Sequence, residues 1–297
     1  MLLNPARETF LNFPSALLPD KTITVFLPEP AVPLHRQYPV VYILGAIPKD
    51  APAAQSVLEK AQKKAILVGI NTEDIDLTDT AKLVSFVSRE WVPYIQANYP
   101  VIDHPSSRVL VVQNPSGLRA AAALLAQKEL FARAVLFRPG EQPISLAGSD
   151  EHLRVLIAGR RSEILPLQET LLDKGLAYGD GFVTEIKEES AVWDSINLDY
   201  LFAEDDTLQV QKIEGTIAPQ SISLPLRQSA TLAWKILLKN QMQFDYIAPS
   251  LRLSPPYLQW NPQTGEVNIL SGAVPGTVKI SLFVDKQRWR GKIKLKK

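Results

Sequence analysis

The chain has 297 residues, 46% of them hydrophobic, and its 32 Lys and Arg residues nearly balance 31 Asp and Glu residues, for a net charge of +1. It contains no cysteine, which excludes a disulfide framework, thiolate metal sites and a cysteine nucleophile. The balanced charge excludes a global basic field, so we expect no nucleic-acid partner.

Signals for membranes, export and cofactors are missing from the sequence. The start of the chain lacks the basic and apolar regions of a signal peptide, and no run of about 18 apolar residues could span a membrane. The localisation stays open: cytoplasmic, or periplasmic or cell-envelope if the chain is a processed form. We expect no cofactor and no metal, because neither a P-loop nor a G-x-G-x-x-G motif is present and no ligand spacing stands out.

Up to about residue 205, apolar runs typical of buried strands alternate with segments of helical periodicity. The predicted strands are 22–27, 39–44, 65–70, 108–112, 134–137, 153–158 and 182–186. The predicted helices are 51–64, 79–99, 118–127, 165–174 and 193–202. This alternation predicts an α/β fold with a doubly wound, mostly parallel sheet.

After about residue 206, helical periodicity stops, and short β-type runs are separated by Pro, Gly and Asn. These runs are 221–226, 230–238, 243–247, 258–260, 266–269, 277–284 and 289–295. Their spacing predicts a small all-β sandwich domain. With 204–207 as a polar linker, we divide the chain into domains 1–205 and 206–297.

The turn after the strand 108–112 is the most informative place for chemistry, because ligands of an open parallel sheet bind beyond the carboxyl ends of its strands. It reads VQNPSGL over 112–118. The segments around it are YPVVYIL at 38–44, VGINTEDIDLTDT at 68–80, REWVPYI at 89–95 and KELF at 128–131. In order and spacing they resemble the esterase family of α/β-hydrolases that includes enterochelin esterases and esterase D. The resemblance implies an α/β-hydrolase fold for most of the first 205 residues.

The resemblance also places the family's nucleophile elbow, G-x-S-x-G, on residues 113–117, with Pro115 at the serine position. Proline has no hydroxyl and no backbone N–H, and its φ of about −65° does not fit the positive φ of a nucleophile elbow. Ser116 is the next hydroxyl, and we consider it either a displaced nucleophile or the N-cap of the following helix. We expect no catalytic residue at this degenerate elbow.

The acid and the histidine of the family's triad are also lost. Glu163 follows the strand 153–158, where the family has its acid, and is a weak candidate for that role. After the strand 182–186, Ser190 or Ala191 stands where the resemblance places the histidine. Without a base of near-neutral pKa, a serine hydroxyl is a poor nucleophile.

The three histidines of the chain each precede a predicted strand. They should therefore lie at the amino edge of the sheet, opposite the site. They are His35, His104 and His152.

Five residues near the carboxyl ends of the strands are candidate ligand contacts: Asn114, Ser116, Arg160, Arg161 and Trp193. The two arginines either grip an anion together or belong to the ordinary surface. Trp193 lies near the expected histidine position, and it either stacks on a ring or is part of the core.

A loop with four carboxylates follows the strand 65–70. We interpret it as a solvated loop in which Thr78 or Asp79 caps the next helix, rather than as a cation or polar-ligand site. The carboxylates are Glu73, Asp74, Asp76 and Asp79.

Residues 253–284 are similar to the immunoglobulin-like and cadherin-like modules of bacterial envelope proteins, on the run PPYLQWNPQTGEVNILSGAVPG. The similarity implies adhesion or spacing rather than catalysis. The tail RWRGKIKLKK at 288–297 alternates basic and apolar residues. It is either a phosphate-binding stripe or a terminal strand whose lysines discourage edge-to-edge pairing.

Three functions are consistent with these observations. The chain is a catalytically inactive, esterase-like protein that binds or scaffolds a protein or carbohydrate partner. Alternatively, it is an active carboxylic-ester hydrolase with Ser116 as relocated nucleophile and Glu163 as base. The third alternative is a spacer without a ligand. We favour the first, because the nucleophile, acid and histidine positions are lost together.

Overall fold

The computed structural model describes residues 9–18, 21–28, 36–44, 51–70, 76–141, 153–188, 192–224, 229–254 and 257–296. The strands of the first part are β1 Thr9–Phe13, β2 Lys21–Phe26, β3 Val40–Leu44, β4 Ile66–Ile70, β5 Arg108–Gln113, β6 Arg133–Phe137, β7 Arg154–Gly159 and β8 Phe182–Ile186. The helices are α1 Ala51–Lys60, α2 Thr80–Phe86, α3 Val92–Asn98, α4 Asn114–Leu125, α5 Arg161–Asp173 and α6 Leu198–Leu201. Among the described residues, no helix combines the length and apolar character needed to cross a membrane.

These strands form one sheet in the order β1-β2-β4-β3-β5-β6-β7-β8. The pairs from β4–β3 to β7–β8 are parallel, whereas β1 and β2 are antiparallel to their neighbours. Every residue of β3, β4 and β7 is buried, because helices and loops cover both faces of a parallel sheet. The predicted α/β fold is confirmed, and its sheet is mixed, with a parallel centre from β4 to β8.

Some helix starts differ from those predicted. α4 begins at Asn114 instead of 118, and α5 at Arg161 instead of 165, because polar first turns carry no apolar periodicity. The helix predicted over 193–202 is a 3₁₀ turn, Val192–Ser195, followed by the short α6. Asn197 interrupts it, since its side-chain oxygen accepts the N–H of Tyr200 at 3.0 Å and caps α6.

The remaining strands are β9 Val210–Ala218, β10 Ser221–Ser223, β11 Ser229–Leu238, β12 Gln243–Tyr246, β13 Arg252–Ser254, β14 Leu258–Asn261, β15 Glu266–Ile269, β16 Gly276–Val284 and β17 Gln287–Lys296. The predicted strands of this part are all found, although residues 225–226 lie outside the described residues. β1, β9 and β13 were not predicted. In β9 the exposure pattern is irregular, so hydrophobic alternation does not reveal the strand.

The C-terminal strands continue the α/β sheet. β12 pairs antiparallel with β8, the last parallel strand, and the order runs on as β8-β12-β11-β15-β14, with β9 also paired to β11. The second sheet, β10-β17-β16-β13, packs on this extension, where the Trp289 ring lies 5.8 Å from the Trp234 ring and against Gly215. The predicted linker contains a 3₁₀ turn, Asp205–Thr207, followed by the buried Leu208.

The junction between β8 and β12 converges on Asp245. The hydroxyls of Tyr178 and Thr184 both donate to its backbone carbonyl, Thr184 at 2.5 Å. Its carboxylate accepts the N–H of Ile186 at 2.9 Å and lies 2.6 Å from the ammonium of Lys235. Asp245 of β12 therefore holds polar groups of β8 and of the segment before it on one side, and Lys235 of β11 on the other.

Arg154, the buried first residue of β7, anchors the chain where it leaves the α/β part. Its guanidinium donates to the carbonyls of Tyr200, Leu201 and Ala203, each at 3.0 Å, and pairs with the carboxylate of Asp205. These carbonyls lie at the C-terminal end of α6, where helical partners run out. The arginine therefore caps α6 and fixes the segment that leads to β9.

Candidate functional site

The turn between β5 and α4 is where the resemblance places the degenerate elbow. Gln113 is extended, with φ −128° and ψ 154°, and precedes α4 without a side-chain capping bond. α4 begins at Asn114, so Pro115 and Ser116 lie in its first turn, and both are exposed. The prediction that Ser116 caps this helix is wrong. A proline in the first turn has no helical hydrogen bond to lose, so the helix starts before it.

This turn carries none of the backbone strain that presents a nucleophile. Among the described residues other than glycine, positive φ occurs at Arg138, Gln241 and Asp285, none of which is in the turn. A nucleophile elbow holds its serine on a strained turn so that the hydroxyl stands clear of the helix. Here Gly140, at φ +91°, packs on the proline, and a Cβ at Gly140 would lie 2.6 Å from the Cγ of Pro115.

Glu163 lies beyond the carboxyl end of β7, where the resemblance places the acid, but its oxygens have other partners. Oε2 accepts the backbone N–H of Arg160 at 2.9 Å, and Oε1 lies 3.5 Å from Nε of Arg138. The first contact caps α5, and the second holds the loop after β6. The Glu163 side chain is only 15% exposed, and both of its oxygens have partners at the start of α5 or in the loop after β6.

The segment after β8 brings a lysine to the end of the strand. The N–H of Lys187 bonds the carbonyl of Gly159 at 2.8 Å, and its ammonium lies 3.5 Å from the carboxylate of Glu185. The expected histidine position, Ser190 or Ala191, lies outside the described residues.

His104, the histidine within the described residues, lies at the amino edge of the sheet, opposite the turn between β5 and α4. His104 precedes the 3₁₀ turn Pro105–Ser107, which leads into β5. Its ring nitrogen accepts the N–H of Ser106 at 3.2 Å. This agrees with the expected amino-edge position, and His35 and His152 lie outside the described residues.

The two candidate arginines differ in their surroundings. Arg160 is exposed at the start of α5. The guanidinium of Arg161 instead lies against the turn between β14 and β15, where it donates to the carbonyl of Pro262 at 3.4 Å and packs on Gly265. Burial lowers the pKa of Arg161, although nearby carboxylates oppose that shift. Arg161 therefore joins α5 to the turn between β14 and β15.

Trp193 is buried at 6% exposure, with its ring edge-to-face on Phe26 at 6.3 Å. It lines a cavity of about 560 Å³ between α1, the end of β8 and residues 193–199. Glu185 and Lys187 also line it, and burial raises the pKa of the Glu185 carboxyl while Lys187 opposes the rise. The described residues of the turn between β5 and α4, and Glu163, are not among its lining residues.

A second cavity, of about 380 Å³, lies at the amino ends of the parallel strands. Its cationic lining residues are Arg36, Lys63, Lys64 and Arg133. Burial lowers the pKa of Arg133 to about 10, and repulsion from Arg154 adds to that shift.

The carboxylate-rich loop behaves as a capped turn. Asp79 accepts the N–H of Lys82 at 3.0 Å and caps α2, which confirms the capping interpretation for this residue. Hydrogen bonds from the hydroxyl and N–H of Thr78 lower the pKa of Asp76. Glu73 and Asp74 lie outside the described residues. Within the described part of the chain, no group of three or more His, Cys, Asp or Glu side chains could hold a metal ion.

Comparison with known proteins identifies the fold of this chain but not its family. No protein-family model and no curated protein sequence matches the chain. An IroE-like serine hydrolase from Shewanella oneidensis matches with a TM-score of 0.52 at 18% identity, over 66% of this chain and 78% of that one. A CE1 ferulic acid esterase from Anaeromyces mucronatus, solved without substrate, matches with a TM-score of 0.52 at 14% identity, over 65% and 87%. A further ferulic acid esterase matches with a TM-score of 0.52 at 15% identity, over 65% and 94%. Over about two thirds of its length, the chain therefore shares the fold of these esterases and this hydrolase.

Proposed function

We propose that this chain is a catalytically inactive esterase-like protein, a pseudo-hydrolase that serves as a binding or scaffold module for a protein or carbohydrate partner. The observation that carries the proposal is Pro115, which lies where the resemblance places the nucleophile, in a first turn of α4 without positive φ. Acyl transfer by a serine hydrolase needs an attacking hydroxyl at this point of the fold. Proline has no hydroxyl to supply.

The remaining triad positions support the proposal. Glu163 caps α5 and contacts Arg138, and the sequence has no histidine beyond residue 152 to act as the base. The Ser116 hydroxyl has neither a described general base nor a strained turn to activate it. An active hydrolase would require a new base as well as a relocated nucleophile.

The proposed binding role involves two parts of the chain. We assign residues 1–205 to the esterase-like part and 206–297 to an immunoglobulin-like β-sandwich. The face-to-face packing of two antiparallel-rich sheets around Trp234 and Trp289 supports this assignment. The pairing of β8 with β12 makes the two parts a continuous platform.

The Pro115→Ser variant is expected to show no esterase activity. It restores a hydroxyl, but neither a histidine base nor the elbow strain, and isolated triad members give little rate enhancement. Hydrolysis of p-nitrophenyl acetate should stay at the buffer rate for the native chain and for the variant.

The matched control is Ser116→Ala, which should also leave the rate at background. Native turnover that disappears in Ser116→Ala would instead support the active-hydrolase alternative. Turnover gained by Pro115→Ser alone would contradict the triad assignment.

A further inference from the structure

The four strands of the second sheet, β10, β13, β16 and β17, are unusually basic. They contain no Asp or Glu and seven Lys or Arg residues, whereas the whole chain has a net charge of +1. The rest of the chain is therefore net negative. The seven cations are Arg252, Lys279, Arg288, Arg290, Lys292, Lys294 and Lys296.

The strand register places all seven cations on one face, which we call the basic face. In antiparallel pairs, residues directly opposite point to the same side, and Lys279 lies opposite Lys292. Arg252 lies opposite Ser281, which in turn lies opposite Arg290. All seven are exposed, while the alternate residues of β16 face the core.

Protection of a sheet edge accounts for these lysines only in part. Residues 287–295 of β17 pair with β16 along one edge, and residues 294–296 pair with β10 along the other. The sequence allowed β17 to be a terminal strand guarded against edge-to-edge pairing, but the edge beside Lys294 and Lys296 is already covered. Guarding the edge of β17 also does not explain why Arg252 and Lys279, on neighbouring strands, share its cationic face.

The basic face costs stability unless an anion neutralises it. Like charges directly opposite in a sheet, such as Lys279 and Lys292, destabilise the pairing. Neighbouring cations are about 5–7 Å apart along and across the strands, inside the Debye length of about 8 Å at physiological ionic strength. Within the described residues, none of the seven forms an ion pair with a carboxylate. Charge complementarity therefore calls for a polyanionic partner.

The arrangement of the cations favours a linear partner that carries no bases. Five cations occupy alternate positions along β17, spaced about 7 Å apart, which suits an extended chain lying along the strand. The exposed aromatic side chain of this face is Phe283, and the guanidiniums of Arg252 and Arg288 each lie 5.1 Å from its ring centre. The ring is thus occupied by cations and offers no free platform for stacking bases.

A membrane surface fits the face less well. Peripheral binding to a bilayer uses a broad apolar face together with cations. The large apolar side chain of this face is Phe283, and the guanidiniums of Arg252 and Arg288 lie against its ring. Ser221, Ser223 and Ser254 share the face with the cations and can hydrogen-bond sugar hydroxyls.

From these observations we infer that the basic face binds a linear acidic polysaccharide, whose carboxylates lie along β17. This inference rests on the proposed binding function and gives that function its partner. The test below measures binding alone. A negative binding result would overturn this inference without bearing on esterase activity, which the hydrolysis assay decides.

The test uses polygalacturonate as the probe and its methyl ester as the neutral control, which keeps the same sugar backbone. The test variant of the full chain carries Arg290→Gln, Lys292→Gln and Lys294→Gln. A charge-matched control variant carries Lys82→Gln, Arg89→Gln and Arg119→Gln, all exposed on the helices of the α/β part. Calorimetry at low ionic strength measures binding, and circular dichroism confirms that both variants fold.

The native chain and the control variant are expected to bind polygalacturonate with the same affinity, and the test variant roughly 100-fold more weakly. The methyl ester should not bind, and added salt should weaken binding through counterion release. Equal binding of the test and control variants, or equal binding of the methyl ester, would overturn the inference. So would tighter binding of single-stranded oligothymidylate or of anionic phospholipid vesicles, which would assign the face to another partner class.

Discussion

Replacement of Arg154 by methionine is expected to lower the free energy of unfolding by about 3–5 kcal/mol. The carbonyls of Leu201 and Ala203 lose their donor, while that of Tyr200 keeps the backbone N–H of Ala203, and an unsatisfied buried polar group costs about 1–3 kcal/mol. Methionine keeps the apolar stem, so packing loss adds little. The ion pair with Asp205 contributes little to this figure, because that carboxylate is 72% exposed.

Urea unfolding followed by circular dichroism measures this effect. The control is Arg119→Met, an exposed arginine of α4, which should change stability by less than about 0.5 kcal/mol. A loss below about 1 kcal/mol in Arg154→Met would show that the α6 carbonyls find other donors.

Asp245→Ala is expected to destabilise the protein by about 2–3 kcal/mol. The carboxylate of Asp245 accepts the N–H of Ile186, and hydrogen bonds to charged groups contribute about 1.5–3 kcal/mol. Its pair with the half-exposed Lys235 adds less than about 1 kcal/mol. Because this contact lies where β8 meets β12, the damage should concentrate at the junction of the sheet.

Two measurements check this prediction. Urea unfolding gives the stability, with Asp173→Ala at the exposed end of α5 as a control that should be nearly neutral. Hydrogen exchange of the Ile186 amide should accelerate in Asp245→Ala and stay slow in the control. An unchanged exchange rate at Ile186 would refute the role given to the carboxylate.

The parallel sheet was predictable from the sequence because its signal is local. Runs such as Val40–Leu44 and Ile66–Ile70 are buried on both faces, so a short apolar stretch marks each strand. The interpretation of Pro115 rests on an equally local signal. This single residue lies where the resemblance places the nucleophile, and its covalent structure has no hydroxyl.

Other features depend on contacts between residues far apart in the chain, which local patterns do not encode. The pairing of β8 with β12 brings Thr184 to Asp245, 61 positions away. Because of that pairing, Arg161 lies against Pro262. No local pattern predicted that Arg161 and Arg160 would have different surroundings. The alternation of β17 was evident, but the pairing of its last residues with β10 became clear only from the sheet order.

The most direct test of the central claim is incubation of the native chain with a fluorophosphonate probe, followed by intact-mass spectrometry. A serine esterase treated in parallel shows that the probe is reactive. Pro115, in the first turn of α4, has no hydroxyl for the probe to trap, so the mass of this protein should remain unchanged. Stoichiometric addition of the phosphonyl group to Ser116, or to any other hydroxyl of the chain, would contradict the account.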